Sequence, residues 1–129
     1  MALVPVTFAI RSTSLRKYPV LFNWSEYVPA VKKAFGSLGK RHPKMLEAYQ
    51  SLGAAAAHDQ ALDPKTRELI AVAVAISLRC DGCIGTHTEA ARKAGATEEE
   101  LAQALATAIQ VNAGAAYVYS MRALEAYGE

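Results

Sequence analysis

Cys80 and Cys83 are the only two cysteines of the chain, with Asp81 and Gly82 between them. A bridge across so short an interval constrains the unfolded chain very little, so the pair makes a poor structural staple. In a reducing cytosol such a pair is more often catalytic or metal-binding. His87 follows Cys83 by four residues, which places both on one face of a helix, one turn apart. An imidazole at that range can take the Cys83 proton or pair with the thiolate. Cys80 is placed to close a disulfide with Cys83. The group therefore offers an attacking thiol, a base and a resolving thiol. The same side chains could ligate zinc, with Cys80, Cys83 and His87 as three ligands and Glu68 as a fourth. Structural zinc usually brings a second ligand pair at similar spacing, which this chain lacks.

These residues need helices to hold them. Asp63-Pro64 reads as an N-cap followed by proline at the first helical position. The helix it opens runs to about Leu78. Leu69, Val72, Ala73 and Ile76 form one apolar face, and Ile70, Val74 and Ala75 extend it almost all round, as in a central, buried helix. The chain breaks at residues 79–83, where Gly82 supplies turn flexibility. A second helix runs from Asp81 or Gly82 to Lys93 and stops at Gly95. Cys83 thus sits in its first turn, where outward-pointing amides and the helix dipole stabilise a thiolate.

Glu68 lies on the preceding helix, roughly 18 Å from Cys80 if that helix is straight. A hairpin folded at the cysteine turn brings Glu68 alongside His87, although rise alone leaves them roughly 7 Å out of register. Helix tilt, side-chain length or a water must close that gap. A carboxylate so placed would orient the imidazole.

Elsewhere helix signals recur. Ser25 is a candidate cap for a helix to about Leu38, with Pro29 in its first turn and Gly36 and Gly39 weakening its end. His42-Pro43 opens another, carrying Met45, Leu46, Tyr49 and Leu52 on one side. Thr97 and Glu100 form a capping box. The helix after it carries Leu101, Leu105, Ala108 and Ile109, and a kink or break is expected at Asn112-Ala113-Gly114. A last helix then carries Tyr117, Val118, Met121, Leu124 and Tyr127. Tyr117, Tyr119 and Tyr127 read as core or subunit interface, and His42 and His58 as structural or surface residues. The expected fold is an all-α helical bundle with a CxxC hairpin. Residues 25–129 form its single domain, and residues 1–24 an N-terminal arm.

The whole chain has 129 residues, of which 52% are hydrophobic, enough for one domain. Alanine dominates that fraction, which favours helix and close helix approach, including association between copies. Its 14 basic and 12 acidic residues leave a net charge of +2, too balanced to imply a nucleic-acid partner. The densest basic stretch, Lys32, Lys33, Lys40, Arg41 and Lys44, has acidic neighbours and reads as a solvated helical face. The longest apolar run, Leu69 to Ser77, is far below the roughly 20 residues that span a bilayer. No secretory signal is convincing, so a cytoplasmic location is expected. No nucleotide-binding fingerprint occurs, so neither flavin nor nicotinamide is expected as a cofactor.

Glu68, then eleven residues, Cys80-Asp81-Gly82-Cys83, then three residues and His87 resembles the signature of the carboxymuconolactone decarboxylase superfamily, in its alkyl hydroperoxidase D (AhpD)-like branch. Leu62 to Ile70 before the turn and Lys93 to Thr97 after it are similar as well. The resemblance is strong over residues 60–110, looser from Ser25 to the C-terminus, and absent from the first 20 or so residues. It implies an all-helical fold with Cys83 as the peroxidatic thiol, His87 as its activator, Glu68 completing a proton relay and Cys80 as the resolving thiol. It also implies a hydroperoxide substrate and an external dithiol reductant, which in the best-known relatives is a lipoylated protein. A homo-oligomer follows too, with a hexamer built as a trimer of dimers favoured. The characterised hydroperoxidases carry a second histidine between the cysteines. Here Asp81 and Gly82 stand there, and Asp81 opposes thiolate formation. Two other readings use the same scaffold. One is a non-redox decarboxylase or isomerase with His87 and Glu68 as acid and base, although the decarboxylase branch lacks the cysteine pair. The other is a metal-bound, non-enzymatic oligomer.

Overall fold

The computed structural model describes residues 22–58 and 61–129, and these form an all-α fold of five helices. The arm expected over 1–24 lies outside the described residues as far as residue 21. The helices are α1 (Trp24–Arg41), α2 (Pro43–Ala56), α3 (Pro64–Ser77), α4 (Asp81–Lys93) and α5 (Glu98–Gly128). The hairpin of α3 and α4 is the centre. α5 packs on α3, α1 packs on α4, and α2 packs against α1.

α3 starts as its sequence predicts, with the Asp63 carboxylate accepting the Thr66 N–H at 3.0 Å behind Pro64. Val72 and Ala75 are its buried residues. Burial all round does not occur within one chain. Ile70, Val74 and Leu78 are exposed, Leu78 at 72%. Small residues make the hairpin tight, with Ala75 and Ala91 both buried on its two helices.

α3 ends in a Schellman turn. The Cys80 N–H reaches the Ala75 carbonyl and the Arg79 N–H reaches that of Ile76, while Arg79 takes the left-handed conformation at φ 54°. α4 ends by the same pattern, with Ala96 bonded to Ala91, Gly95 to Arg92, and Gly95 at φ +87°. Thr97 and Glu100 then close the expected capping box reciprocally. Glu100 also takes the Lys65 ammonium at 2.6 Å, which ties the starts of α3 and α5 together.

Several local expectations are corrected. Gly82, expected to give the cysteine turn its flexibility, lies inside α4, and the left-handed residue of that turn is Arg79. Ser25 does not cap α1. The helix begins two residues earlier, with Asn23 at the cap position, and the Ser25 hydroxyl donates to the Asn23 side chain at 2.8 Å. Pro29 therefore lies in the second turn, and α1 runs through Gly36 and Gly39 to Arg41. Gly39 does not weaken the end but lets α2 approach, since a Cβ there would stand 2.5 Å from the Leu46 side chain. The break expected at 112–114 is absent, and α5 is one helix of 31 residues. The Asn112 amide donates both to the Ala108 carbonyl one turn back and to the Ser77 hydroxyl on α3, so the residue fastens the helix.

About half of α5 extends past α3. Tyr117, Val118, Tyr119, Met121, Leu124 and Tyr127 are all exposed there, Tyr127 at 92%. The tyrosines expected in core or subunit interface are therefore not core within one chain. No helix among the described residues is long and apolar enough to cross a membrane.

Candidate active site around the cysteine pair

Cys80 belongs to two helices at once. Its N–H closes the Schellman turn of α3, and its side chain occupies the N-cap of α4, where Sγ accepts the Cys83 N–H at 3.3 Å. A cysteine sulfur is a weak acceptor, so this cap is poorer than a serine or threonine would make. Cys83 is the third residue of α4, as its spacing predicts. The two cysteines are joined as a disulfide, with Cα atoms 5.3 Å apart.

His87 lies one turn further along α4, and its Nδ1 is 2.7 Å from Glu68 Oε2 on α3. An ionised carboxylate can only accept, so Nδ1 carries the hydrogen and donates it. Nε2 is then the ring nitrogen left to exchange a proton. Both side chains are partly buried. The two side chains meet directly across the hairpin, with no water needed between them. Of the four residues singled out by sequence, Cys80, Cys83 and His87 line one groove, and Glu68 reaches it through His87. No group of three or more His, Cys, Asp and Glu side chains that could hold a metal ion occurs among the described residues.

The walls come from residues that the sequence did not mark as part of a site. A groove of about 400 Å³ opens over the cysteines. Cys80, Gly82, Cys83, Thr86 and His87 form its floor, while Val31, Lys32, Phe35 and Tyr49 form its sides. Phe35 of α1 and Tyr49 of α2 pack with ring centroids 5.3 Å apart. α1 comes this close to α4 because Gly85 has no side chain: a Cβ there would run into Val28 and Trp24. A glycine in mid-helix costs roughly 1 kcal/mol relative to alanine and is kept for a packing reason, which is the signal that could have found this wall.

A sequence model described as the carboxymuconolactone decarboxylase family matches residues 43–126. An uncharacterized protein of Haemophilus influenzae is 66% identical over 105 residues, covering 81% of this chain and 93% of that protein. A protein described as uncharacterized protein 4 in the cox locus of Paracoccus denitrificans is 36% identical over 102 residues, covering 79% and 92% of the two chains. Among solved structures, an apo carboxymuconolactone decarboxylase family protein from Legionella pneumophila superimposes with a TM-score of 0.65 at 37% identity, covering 81% of this chain and 94% of that one. A protein from Methanobacterium thermoautotrophicum gives a TM-score of 0.64 at 31% identity over 69% of this chain and 97% of that one.

Proposed function

The chain belongs to the carboxymuconolactone decarboxylase family, and from that premise we propose that it is a thiol-dependent hydroperoxidase or disulfide oxidoreductase. The observation that carries this reading is the Cys80–Cys83 disulfide on the floor of an open groove, beside a histidine held by a carboxylate.

In the reduced protein, Glu68 fixes the Nδ1 hydrogen of His87, and Nε2 takes the proton of the Cys83 thiol. The thiolate attacks the terminal oxygen of a hydroperoxide ROOH. The O–O bond breaks, its electron pair leaves on the alkoxide, and the imidazolium returns the proton to give the alcohol ROH. Cys83 is then a sulfenic acid. The Cys80 thiol attacks its sulfur, the S–S bond forms, the S–O bond breaks, and water leaves with the remaining proton. An external dithiol, such as that of a lipoylated protein, returns two electrons and two protons and is itself oxidised to a disulfide. A bound disulfide can replace the hydroperoxide as the oxidant by thiol exchange at Cys83. No metal or organic cofactor is required for these steps.

The same reading has the protein working in a reducing cytoplasm as a homo-oligomer, a hexamer built as a trimer of dimers, with no nucleic-acid or membrane partner. The bare apolar strip on the far half of α5 supports self-association. Native mass spectrometry of the reduced protein after a stoichiometric dose of cumene hydroperoxide tests both points. The expected species is an assembly whose chains have each lost two hydrogens, and Cys83→Ser abolishes peroxide consumption. Undiminished consumption by Cys83→Ser overturns the redox reading, and monomers alone overturn the assembly.

A further inference from the structure

The groove is far larger than hydrogen peroxide requires. One water occupies roughly 30 Å³ of liquid, and a peroxide little more, whereas this groove measures about 400 Å³, within the size range of sites for organic ligands. Val31, Phe35 and Tyr49 give it an apolar wall in the same groove as Cys80 and Cys83. Among the described residues that line it, Lys32 is the one lysine or arginine, and none is a carboxylate.

Lys32 is also only loosely engaged. Its side chain is 58% exposed, and its ammonium lies 3.7 Å from Glu89 Oε2, beyond ordinary hydrogen-bond length. The other oxygen of Glu89 is held by Lys93 at 2.7 Å. Arg92 adds a third positive charge, and the three together hold the Glu89 carboxyl below its usual range, the Lys93 hydrogen bond most of all. One carboxylate therefore faces three cations. Arg92 and Glu89 line a separate groove with Trp24, which leaves Lys32 as the member of the group at the cysteine groove.

We propose that this groove selects an organic substrate with an apolar body and an anionic head, and that Lys32 is the specificity-determining residue that receives the head. The inference rests on the thiol-redox reading for its chemistry, the substrate being a carboxylate-bearing hydroperoxide or disulfide. The apolar body lies along Val31, Phe35 and Tyr49 with the reactive bond at Cys83, and the carboxylate replaces the long contact of Lys32 with Glu89.

The test compares a medium-chain hydroperoxide carrying a terminal carboxylate with its methyl ester, by kcat/KM for oxidation of the reduced protein. The acid should be favoured by roughly five-fold, as a partly exposed ion pair supplies. Lys32→Met, which keeps the apolar stem, should bring the ratio to about one, and Lys32→Glu should favour the ester. The ratio is read within each variant, so a general loss of activity does not imitate the effect. A ratio that survives in Lys32→Met overturns the proposal. Calorimetry with octanoate and methyl octanoate, which cannot react, decides the groove separately from turnover. Weaker octanoate binding to Lys32→Met supports the proposal, and equal or absent binding in both overturns it. Failure of any hydroperoxide to oxidise the wild-type pair, with octanoate binding intact, counts against the redox reading instead.

Discussion

α4 is entered and left by turns of one backbone plan. Each closes the preceding helix with the same pair of hydrogen bonds, and each places one residue in the left-handed region. They are finished differently. At the far turn that residue is Gly95, which adopts the conformation freely, and Thr97 follows with a full capping box. At the near turn it is Arg79, and the cap is the sulfur of Cys80. A non-glycine residue in this conformation costs about 1–2 kcal/mol, and a sulfur cap is weaker than an oxygen one. The near turn thus gives up local stability on two counts, and it is the turn that carries the thiols. The other end carries the fuller polar set: Asp63 caps α3, Thr97 caps α5, and Lys65 with Glu100 joins the two helices.

Cys80→Ser breaks this comparison most severely. A serine oxygen is the better acceptor for the Cys83 N–H, so the variant should melt above reduced wild type by about 0.5–1 kcal/mol. Its turnover with peroxide and a dithiol should fall at least about a hundred-fold, because an intramolecular thiol is replaced by one that must diffuse in. Paired thermal melts and steady-state assays check both. Turnover at the wild-type rate removes Cys80 from the resolving role, and a lower melting point denies that the sulfur cap costs anything.

What the sequence made legible follows the same division. The far turn could be read, because Gly95, Thr97 and Glu100 act within one turn of each other, and so could the spacing of His87 from Cys83. The near turn could not: Gly82 drew attention by its residue type, but it lies inside α4, and the left-handed residue is Arg79. The Glu68–His87 pair could be placed only to within roughly 7 Å by helix rise, since the contact is made between two helices whose packing lies beyond any local signal. Asn112 read as a breaker because its partner, Ser77, is 35 residues away. The groove wall was invisible for the same reason. Lys32, Phe35 and Tyr49 reach the cysteines only through the approach of α1 to α4 at Gly85.

The far turn should respond to acid, where the near one has no carboxylate in its cap. Hydrogen bonds from the Thr66 backbone and hydroxyl hold the Asp63 carboxyl below its ordinary value, and the Lys65 ammonium, then the Thr97 N–H, do so for Glu100. Groups lowered on folding stabilise fully above their unfolded values, near pH 4, and that contribution is lost as pH falls through the folded ones. Lys65 is raised by Glu100, so its share is present below its unfolded value, and is lost only as pH rises past the folded one, above 10.5. The melting temperature should therefore drop between about pH 5 and pH 3. Glu100→Gln should start lower at neutral pH and lose less over that interval. An identical acid slope in the variant would mean that the fastening at α5 adds nothing to stability.

Arg79→Gly should produce the smallest change and the most direct one. Glycine removes the clash between Cβ and the following carbonyl in the left-handed conformation, but it also loosens the unfolded chain, so the two effects partly cancel. A net gain of about 0.5–1 kcal/mol is expected in denaturant melts of the reduced protein. The Arg79 side chain is exposed, so little packing is lost with it. The hydrogen bonds of the turn are made by backbone groups that glycine keeps, so Cys80 stays at the cap and peroxide turnover should be retained. A stabilised variant with slower turnover would show that the left-handed arginine contributes to the chemistry, and that the near turn gives up stability for its geometry as well as for its sulfur.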